Sequence, residues 1–131
     1  MAQIQVVIVT PEATTLDQMV DSVIVPMLDG AAGVLAGHAP TIGRLGPGEL
    51  KIREGSTETS YYVDGGFVQI ADNVVSVLTG NSVAVDEIDI AAAKEALEKA
   101  EAMEGGNADL AELKTKAVQQ AKSQLRLAER A

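Results

Sequence analysis

The amino-acid sequence predicts an antiparallel β-sandwich followed by an antiparallel two-helix hairpin. Short runs rich in Val and Ile occupy residues 3–85, and Gly, Pro, Asp or Asn interrupts them about every ten residues. From residue 86 onwards, apolar residues recur instead at the spacing of one helix face, in two successive segments. A Gly-Gly pair between these segments indicates a short connection, so the two helices should run antiparallel.

Seven runs in the first part of the chain are predicted strands. Apolar and charged residues alternate in several of them, as where Leu50 and Ile52 alternate with Lys51 and Arg53. Such alternation is typical of an antiparallel sheet that buries one face. Asp72 and Asn73 separate two of the runs and predict a tight hairpin turn. The runs cover residues 3–9, 20–27, 48–54, 59–65, 67–72, 73–79 and 81–85.

Two helices are predicted after residue 86. Asp89 is a candidate N-cap for a helix that Gly105-Gly106 ends, and Asn107 or Asp109 is a candidate N-cap for a second helix that reaches the C-terminus. Alanine makes up much of the predicted contact between the helices, and it buries less surface than leucine. We therefore expect a loosely held hairpin and two domains, residues 1–85 and 86–131. The predicted contact residues are Ile90, Ala93, Leu97 and Ala100 in the first helix and Leu110, Leu113, Ala117, Ala121 and Leu125 in the second.

The composition excludes several classes of function. The formal net charge of −9 argues against broad binding to nucleic acid or anionic lipid, which requires clustered Lys and Arg. The absence of cysteine excludes disulfides, thiolate metal sites and cysteine nucleophiles. The N-terminal segment contains neither a basic region nor a long apolar run, so we expect no signal peptide, no transmembrane helix and no direct insertion into lipid.

Charge is distributed unevenly between the predicted elements. Residues 1–85 carry net −6 and residues 86–106 net −5, whereas residues 107–131 carry net +2. One interpretation is a pair of helices joined by salt bridges. The other is a basic arm that leaves its acidic neighbour for an acidic partner. The basic residues considered for such a partner are Lys114, Lys122, Arg126 and Arg130.

No constellation in the sequence indicates catalysis or metal binding. His38 is the only histidine, no G-x-S-x-G motif precedes a predicted helix, and no phosphate-binding G-x-x-x-x-G-K-[ST] motif occurs. A zinc site requires three or four ligands, which one histidine and scattered carboxylates do not provide. We therefore predict no catalytic residues and no metal. His38 is either a structural loop residue or a contact for a partner.

Two blocks of the sequence resemble the epsilon subunit of F-type ATP synthases. The first is G-x-x-G-V-L-x-G-H-A-P at residues 30–40, followed by GELKI at 48–52, and the second is VDGGFVQIADNVVSVLT at 63–79. The segments IDIAAAKEALEKAEA and AKSQLRLAE are similar to that family's two C-terminal helices. The resemblance implies a sandwich of about ten strands and a non-catalytic role in the rotor's central stalk, on the cytoplasmic face of the membrane. His38 would then belong to a docking surface.

The resemblance also implies where each partner binds. The gamma subunit would contact the loop Gly37, His38, Ala39, Pro40, Thr41 and Ile42. The c-ring would lie near the turn Leu28, Asp29, Gly30, Ala31 and Ala32, which is less acidic than is usual in the family. The helical hairpin would extend towards the alpha and beta catalytic subunits and inhibit ATP hydrolysis.

The chain departs from the family's nucleotide-binding motif. Some bacterial relatives bind ATP through I/L-D-x-x-R-A, and Ile88 and Asp89 match its start, but Ala92 stands in place of the arginine. The guanidinium that would pair with phosphate is therefore missing from the motif, although Arg126 offers charge from the second helix. We accordingly expect no cofactor. Two other functions remain open on the residues alone: a free-standing protein-binding adaptor and an enzyme whose site the sequence does not reveal.

Overall fold

The computed structural model describes residues 2–130 of the chain. The first part forms strands, and the rest forms a 3-10 turn at Val85–Glu87 and two helices, α1 (Ile90–Glu101) and α2 (Ala108–Arg130). The predicted sequence of sandwich strands followed by two helices is confirmed. The strands are β1 (Ile4–Val9), β2 (Thr14–Val20), β3 (Ser22–Met27), β4 (Gly30–Val34), β5 (Thr41–Glu54), β6 (Thr57–Ala71), β7 (Val74–Leu78) and β8 (Ser82–Ala84).

The strands form one hydrogen-bonded sheet in the order β2-β1-β7-β6-β5-β3-β4, and β8 pairs with β6. Neighbouring strands are antiparallel except β1 and β7, which are parallel, with Gln5 opposite Val74 and Val9 opposite Leu78. The sheet thus differs from the purely antiparallel one that we expected. The physical reason is that a hairpin forces its two strands to be antiparallel, whereas β1 and β7 are joined by a long stretch of chain that imposes no direction.

Strands β5 and β6 are long because each takes part in both layers of the sandwich. The first part of β6 pairs with β8, at Tyr61–Val63, and its last part pairs with β7, at Phe67–Ala71. Residues 2–130 contain eight strands, compared with the seven predicted runs and with the ten or so that the resemblance implies: the runs 59–65 and 67–72 are one continuous strand, and β2 and β4 were not predicted. Gly66 lies at the change of layer with φ +117, and a Cβ there would come within 2.0 Å of the Leu78 carbonyl oxygen. Only glycine lets the chain pass this point without a break in the strand.

The core of the sandwich lies between the layers and is almost entirely aliphatic. Its side chains come from alternate positions of β1, β3 and β7 and from the long strands β5 and β6, as the alternation in the sequence predicts, and each of the end strands β2 and β4 adds one residue. β-branched residues predominate, which suits the pleated surface of a sheet. The cluster comprises Ile4, Val6, Ile8, Val20, Val23, Val25, Val34, Leu45, Leu50, Ile52, Val63, Val68, Ile70, Val75 and Val77.

The chain divides after Ala84 into two compact units. In the helical unit the N-cap predicted at Asp89 is confirmed, because its carboxylate accepts a hydrogen bond of 3.1 Å from the Ala92 amide. The second cap is Asn107, whose Oδ1 accepts a hydrogen bond of 2.9 Å from the Leu110 amide. Of the two caps left open by the sequence, Asn107 is therefore the correct one, and α2 begins directly after it.

Helix α1 ends earlier than the sequence predicts. Its last residue is Glu101, and the connection to α2 spans residues 102–107 instead of two to four residues. Ala102, Met103 and Glu104 are all exposed, so no side-chain burial stabilises a further helical turn before the Gly-Gly pair. The glycines lie within the connection and do not themselves end the helix.

The contact between the helices agrees with the prediction at three alanines and differs at three larger side chains. Ala93, Ala100 and Ala121 are buried, whereas Ile90, Leu110 and Leu113 are 41%, 37% and 56% exposed. Helix α1 has 12 residues and α2 has 23, which correspond to lengths of about 18 and 35 Å. The shorter helix therefore cannot cover the whole of the longer one.

Candidate docking surfaces

The predicted gamma-binding residues, Gly37–Ile42, form a connection between two strands of the sandwich. They join the end of β4 to the start of β5, and we call the segment 35–42 the docking loop. Gly37, Ala39 and Pro40 are exposed and His38 is half-buried. Ile42 is 78% exposed, an unusual position for a large aliphatic side chain. The predicted residues are thus brought together on an accessible surface.

Short-range hydrogen bonds shape the docking loop. The His38 amide donates to the Leu35 carbonyl over 3.2 Å and closes a turn that contains Gly37 at φ +85. The Thr41 hydroxyl donates to the Ala39 carbonyl over 3.0 Å. A further bond leaves the loop, since the Gly37 amide donates over 2.7 Å to Oδ1 of Asn73 in the turn between β6 and β7.

His38 makes a local contact within the docking loop. Its Nδ1 lies 2.7 Å from the Ala39 carbonyl oxygen, so this nitrogen carries the proton in that contact. Within residues 2–130, no group of three or more His, Asp or Glu side chains is arranged to hold a metal ion. The imidazole therefore stabilises the shape of the docking loop, and its other nitrogen is free to meet a partner.

An exposed apolar patch adjoins the docking loop, and the sequence analysis did not identify it. Phe67 lies directly opposite Leu78 across β6 and β7, and Ile42 is on the same face of the neighbouring strand β5. Phe67 is 55% exposed and Leu78 is 50% exposed. We call Ile42, Phe67 and Leu78 the outer apolar patch. The sequence could have indicated this patch. In β6 and β7 the inward-facing alternate positions are already apolar, so the apolar residues Phe67 and Leu78 at the outward-facing positions are unusual.

A surface hollow lies between the docking loop and the last residues of β6. It has room for a partner's side chain, and Ile42, which lines it, also belongs to the outer apolar patch, where Arg44 is opposite Phe67 in the sheet. Together, the loop, the hollow and the patch make one continuous surface of mixed shape and low polarity, as is typical of the centre of a protein interface. The hollow is lined by Pro40, Thr41, Ile42, Gln69, Ile70 and Ala71.

The residues predicted to lie near the c-ring form the tip of the β3–β4 hairpin. Met27 pairs with Gly30, so Leu28 and Asp29 are the two residues of the turn. Leu28 is 60% exposed, and its amide donates over 3.0 Å to the Arg44 carbonyl. Asp29, Gly30 and Ala31 are also exposed, whereas Ala32 is half-buried against the core. The tip and the docking loop are at opposite ends of β4.

The basic residues of α2 follow one oblique row of the helix surface. Lys114, Lys122, Arg126 and Arg130 are separated by multiples of four residues, and because each step of four turns by about 40°, the row winds from Lys114 to nearly the opposite side of the helix at Arg130. The ion pair found in the described part of the hairpin joins Lys99 to Glu95 over 3.1 Å within α1. Throughout residues 2–130, no salt bridge joins Lys114, Lys122 or Arg126 to a carboxylate of α1. The interpretation of a salt-bridged helix pair therefore finds no support at these three residues.

Among the residues considered for nucleotide binding, Ile88 and Asp89 have local structural roles and Arg126 lies on the other helix. The Asp89 carboxylate caps α1, and the Ile88 amide donates to the Val85 carbonyl over 3.3 Å. Arg126 is exposed on α2, and in the described chain no ion pair links it to Asp89.

One titratable group of the sandwich has a pKa displaced by its surroundings. The pKa of Asp21 is lowered, chiefly because its carboxylate accepts a hydrogen bond of 2.6 Å from the Gly55 amide. Gln3 and the charge of Arg53 lower it further, against the opposing effect of burial. Asp21 thereby joins the start of β3 to the β5–β6 turn, which is a structural role.

Comparison with known proteins identifies the family. Residues 3–85 match the family described as ATP synthase, Delta/Epsilon chain, beta-sandwich domain. The ATP synthase epsilon chain of Rhodopirellula baltica is 46% identical over 123 residues, which cover 94% of this chain and 96% of that relative. A chain in the Euglena gracilis mitochondrial ATP synthase structure (OSCP/F1/c-ring, rotational state 1) is 28% identical with a TM-score of 0.80, covering 94% of this chain and 79% of that chain.

A more distant structure has the same fold. A chain in the central stalk/c-ring structure of Tetrahymena thermophila mitochondrial ATP synthase is 21% identical with a TM-score of 0.61, covering 98% of this chain and 96% of that one. In the described residues, neither helix has the length and apolar character needed to span a bilayer. The family match over most of the sandwich and the close epsilon-chain relative lead to one conclusion: this chain belongs to the ATP synthase delta/epsilon family, as an epsilon chain and not as a catalytic subunit.

Proposed function

We propose that this chain is a rotor subunit of the central stalk, which binds the gamma subunit through the docking loop and the outer apolar patch. The observation that supports this most is the exposure of Ile42, Phe67 and Leu78 side by side on one face of the sandwich. Three large apolar side chains at half exposure or more are costly to leave in water. A contiguous patch of this kind marks a protein-binding surface.

The shape and charge of this surface fit a stable protein partner. The docking loop is held by its own hydrogen bonds, so little conformational entropy is lost when a partner binds. The surroundings of the patch carry few charges, apart from Arg44 next to Phe67. Apolar contact at the centre with a charged group at the rim is the usual arrangement of hot-spot residues.

The tip of the β3–β4 hairpin is our proposed contact with the c-ring. Leu28 projects from the turn and Asp29 supplies its single charge, while Gly30 and Ala31 leave the backbone accessible. A contact made by one leucine and small residues buries little area. The tip would therefore position the ring weakly, and most of the binding energy in the stalk would come from gamma. In this arrangement the chain lies peripherally, on the cytoplasmic face of the membrane.

The helical hairpin is our proposed brake on ATP hydrolysis. The row Lys114, Lys122, Arg126 and Arg130 provides positive charge for acidic surface on the alpha and beta subunits. Lys122 and Arg126 are exposed, and the alanine contact between α1 and α2 costs little to separate. ATP would have little influence on this change, because Ala92 replaces the arginine of the nucleotide motif.

Gamma binding is tested by substitutions at the docking surface of the full chain. Ala39→Glu and Phe67→Glu would each bury an unpaired charge, so we expect affinity for purified gamma to fall by about 1–3 kcal/mol. His38→Ala removes one contact and should have a smaller effect. Met19→Glu is the matched control, because Met19 is also exposed (50%) but lies on the edge strand β2, which pairs with β1 and not with β4, β5 or β6. Normal binding by Ala39→Glu and Phe67→Glu would exclude this surface as the interface.

The free-standing adaptor is the competing function, and purification separates the two. If the chain is a stalk subunit, it should purify with gamma from native membranes, in a fixed ratio to the catalytic subunits. An adaptor would purify with other proteins and leave the ATP synthase complete without it.

The brake is tested in the assembled ATP synthase. Deletion of residues 87–131 should raise ATP hydrolysis, and replacement of the four basic residues by Gln should give part of that increase. The partial increase should be larger at low salt, because screening over about 8–10 Å weakens the charge contribution at ordinary ionic strength. Equal rates for the complete, truncated and neutralised forms would mean that the hairpin is a passive element.

A further inference from the structure

We propose that Asn73 is a positioning residue for the docking loop, which it holds in the conformation that the partner binds. This inference rests on the proposed function of the loop. The observation that supports it is the 2.7 Å hydrogen bond from the Gly37 amide to Asn73 Oδ1, which joins residues 36 positions apart in the chain. Among the described residues, it is the hydrogen bond that ties residues 35–40 to another element of the sandwich.

Asn73 is held rigidly enough to act as an anchor. It occupies the two-residue turn between β6 and β7 with φ 62, and Asp72 before it has φ 52. Both values belong to the left-handed region, as the tight hairpin turn requires. The Asn73 carbonyl also accepts a hydrogen bond of 2.9 Å from the Gln5 amide in β1. The backbone of Asn73 is thus fixed by two strands and the turn, and its side chain is left for the loop.

The chemistry of the side chain explains why asparagine suits this position. Asparagine tolerates the left-handed region better than most residues, so the turn is formed at low cost. Its amide oxygen is a short, neutral acceptor, which can satisfy the Gly37 amide without adding charge to the docking surface. Asp72 is exposed in the same turn, and within residues 2–130 its carboxylate accepts no hydrogen bond. Asp72 therefore only helps to form the turn, whereas Asn73 also positions the docking loop.

The hydrogen bond from Gly37 to Asn73 fixes the position of the Gly37 backbone, and so of the residues that follow it in the docking loop. Gly37 has φ +85 and no atom within 4 Å of a notional Cβ, so packing does not hold it in place. Without the acceptor, the loop would be defined by bonds among its own residues, from the His38 amide to Leu35 and from His38 and Thr41 to the Ala39 carbonyl, and none of these bonds ties it to the sandwich. Residues 37–40 would then sample several conformations, and gamma would bind the competent fraction of them.

The test compares the same substitution at the two residues of the turn. Asn73→Gly removes the acceptor, and Asp72→Gly does not, while glycine accepts positive φ at both positions. In the full chain, Asn73→Gly should speed hydrogen exchange at the Gly37 amide and weaken binding to purified gamma, each by about fivefold to tenfold. Its melting temperature should not fall below that of Asp72→Gly. Asn73→Asp retains an acceptor oxygen and should keep both properties close to wild type at moderate salt.

The outcomes separate this inference from the proposed function. If Ala39→Glu weakens gamma binding and Asn73→Gly does not, the loop binds gamma but Asn73 does not position it, and the inference is overturned. If Asn73→Gly weakens binding without faster exchange at Gly37, Asn73 acts by another route and the inference is equally overturned. If neither Ala39→Glu nor Asn73→Gly changes binding, the docking function itself fails, and the inference fails with it.

Discussion

Replacement of Gly66 by alanine should destabilise the sandwich more than the same substitution at any of its other glycines. The added Cβ would lie 2.0 Å from the Leu78 carbonyl oxygen and 3.0 Å from Thr79 Cα, and these are backbone atoms that cannot rotate away. At φ +117 an alanine also occupies a region that costs of order 1–3 kcal/mol. Forced movement of packed groups adds about 1–3 kcal/mol.

The sum is a large part of the stability that a unit of this size possesses. Steric and backbone costs together come to about 2–6 kcal/mol. A single domain is stable by about 0.05–0.15 kcal/mol per residue, which for the sandwich is about 4–13 kcal/mol. A loss of 2 kcal/mol or more should lower the melting temperature by roughly 10 °C or more, and the larger estimates imply that part of the chain is unfolded at room temperature.

Urea unfolding of the full chain, followed by the β-sheet circular dichroism, measures this effect. Gly80→Ala is the matched control, because Gly80 is two residues from Leu78 and has nothing within 4 Å of its notional Cβ. Without strain at that position, alanine should be neutral or slightly stabilising. If Gly66→Ala unfolded at the same urea concentration as Gly80→Ala, the change of layer would not depend on glycine, and our account of the long β6 strand would be wrong.

Three further predictions concern the two units and one titratable group. A chain truncated after residue 86 should keep its β-type circular dichroism and bind gamma; loss of both would show that the helices are structural. Asp89→Ala should destabilise α1 by about 0.5–2 kcal/mol, seen as faster amide exchange in its first turn, whereas Asp86→Ala should not, because its carboxylate has no capping bond. Since the hydrogen bond from Gly55 lowers the pKa of Asp21, its carboxylate stabilises the fold above the ordinary carboxyl pKa of about 4, and that contribution disappears as the pH falls through the lowered value. The stability difference between wild type and Asp21→Asn should therefore shrink in acid, and a difference independent of pH would contradict this.

Local patterns in the sequence predicted the features that local forces determine. The alternation of Leu50 and Ile52 with Lys51 and Arg53 predicted which side chains are buried, and Asp89 predicted the start of α1. Asp72-Asn73 predicted a tight turn because both residues tolerate positive φ. In each case the determining groups are within a few residues of one another.

The features that the sequence did not reveal depend on residues distant in the chain. The parallel pairing of β1 with β7 and the bond from Gly37 to Asn73 join segments that no local pattern relates. The continuity of β6 was missed because Gly65-Gly66 is as typical of a turn as of a change of layer. The outer apolar patch was missed because Phe67 and Leu78 come together only when β6 pairs with β7.

The parallel pairing of β1 with β7 has a consequence for biosynthesis. Gln5 cannot find its place opposite Val74 until the ribosome has added about 70 further residues, which at 5–20 residues per second takes on the order of 4–14 s. During that interval the β1–β2 hairpin has no neighbour in the sheet, because β1 joins the ladder only through β7. An apolar strand of the sequence IQVVIV thus stays unpaired on one edge while the rest of the sandwich is made. The nascent chain is therefore exposed to aggregation and to chaperone binding at its first strand until β7 has been made and can pair with it.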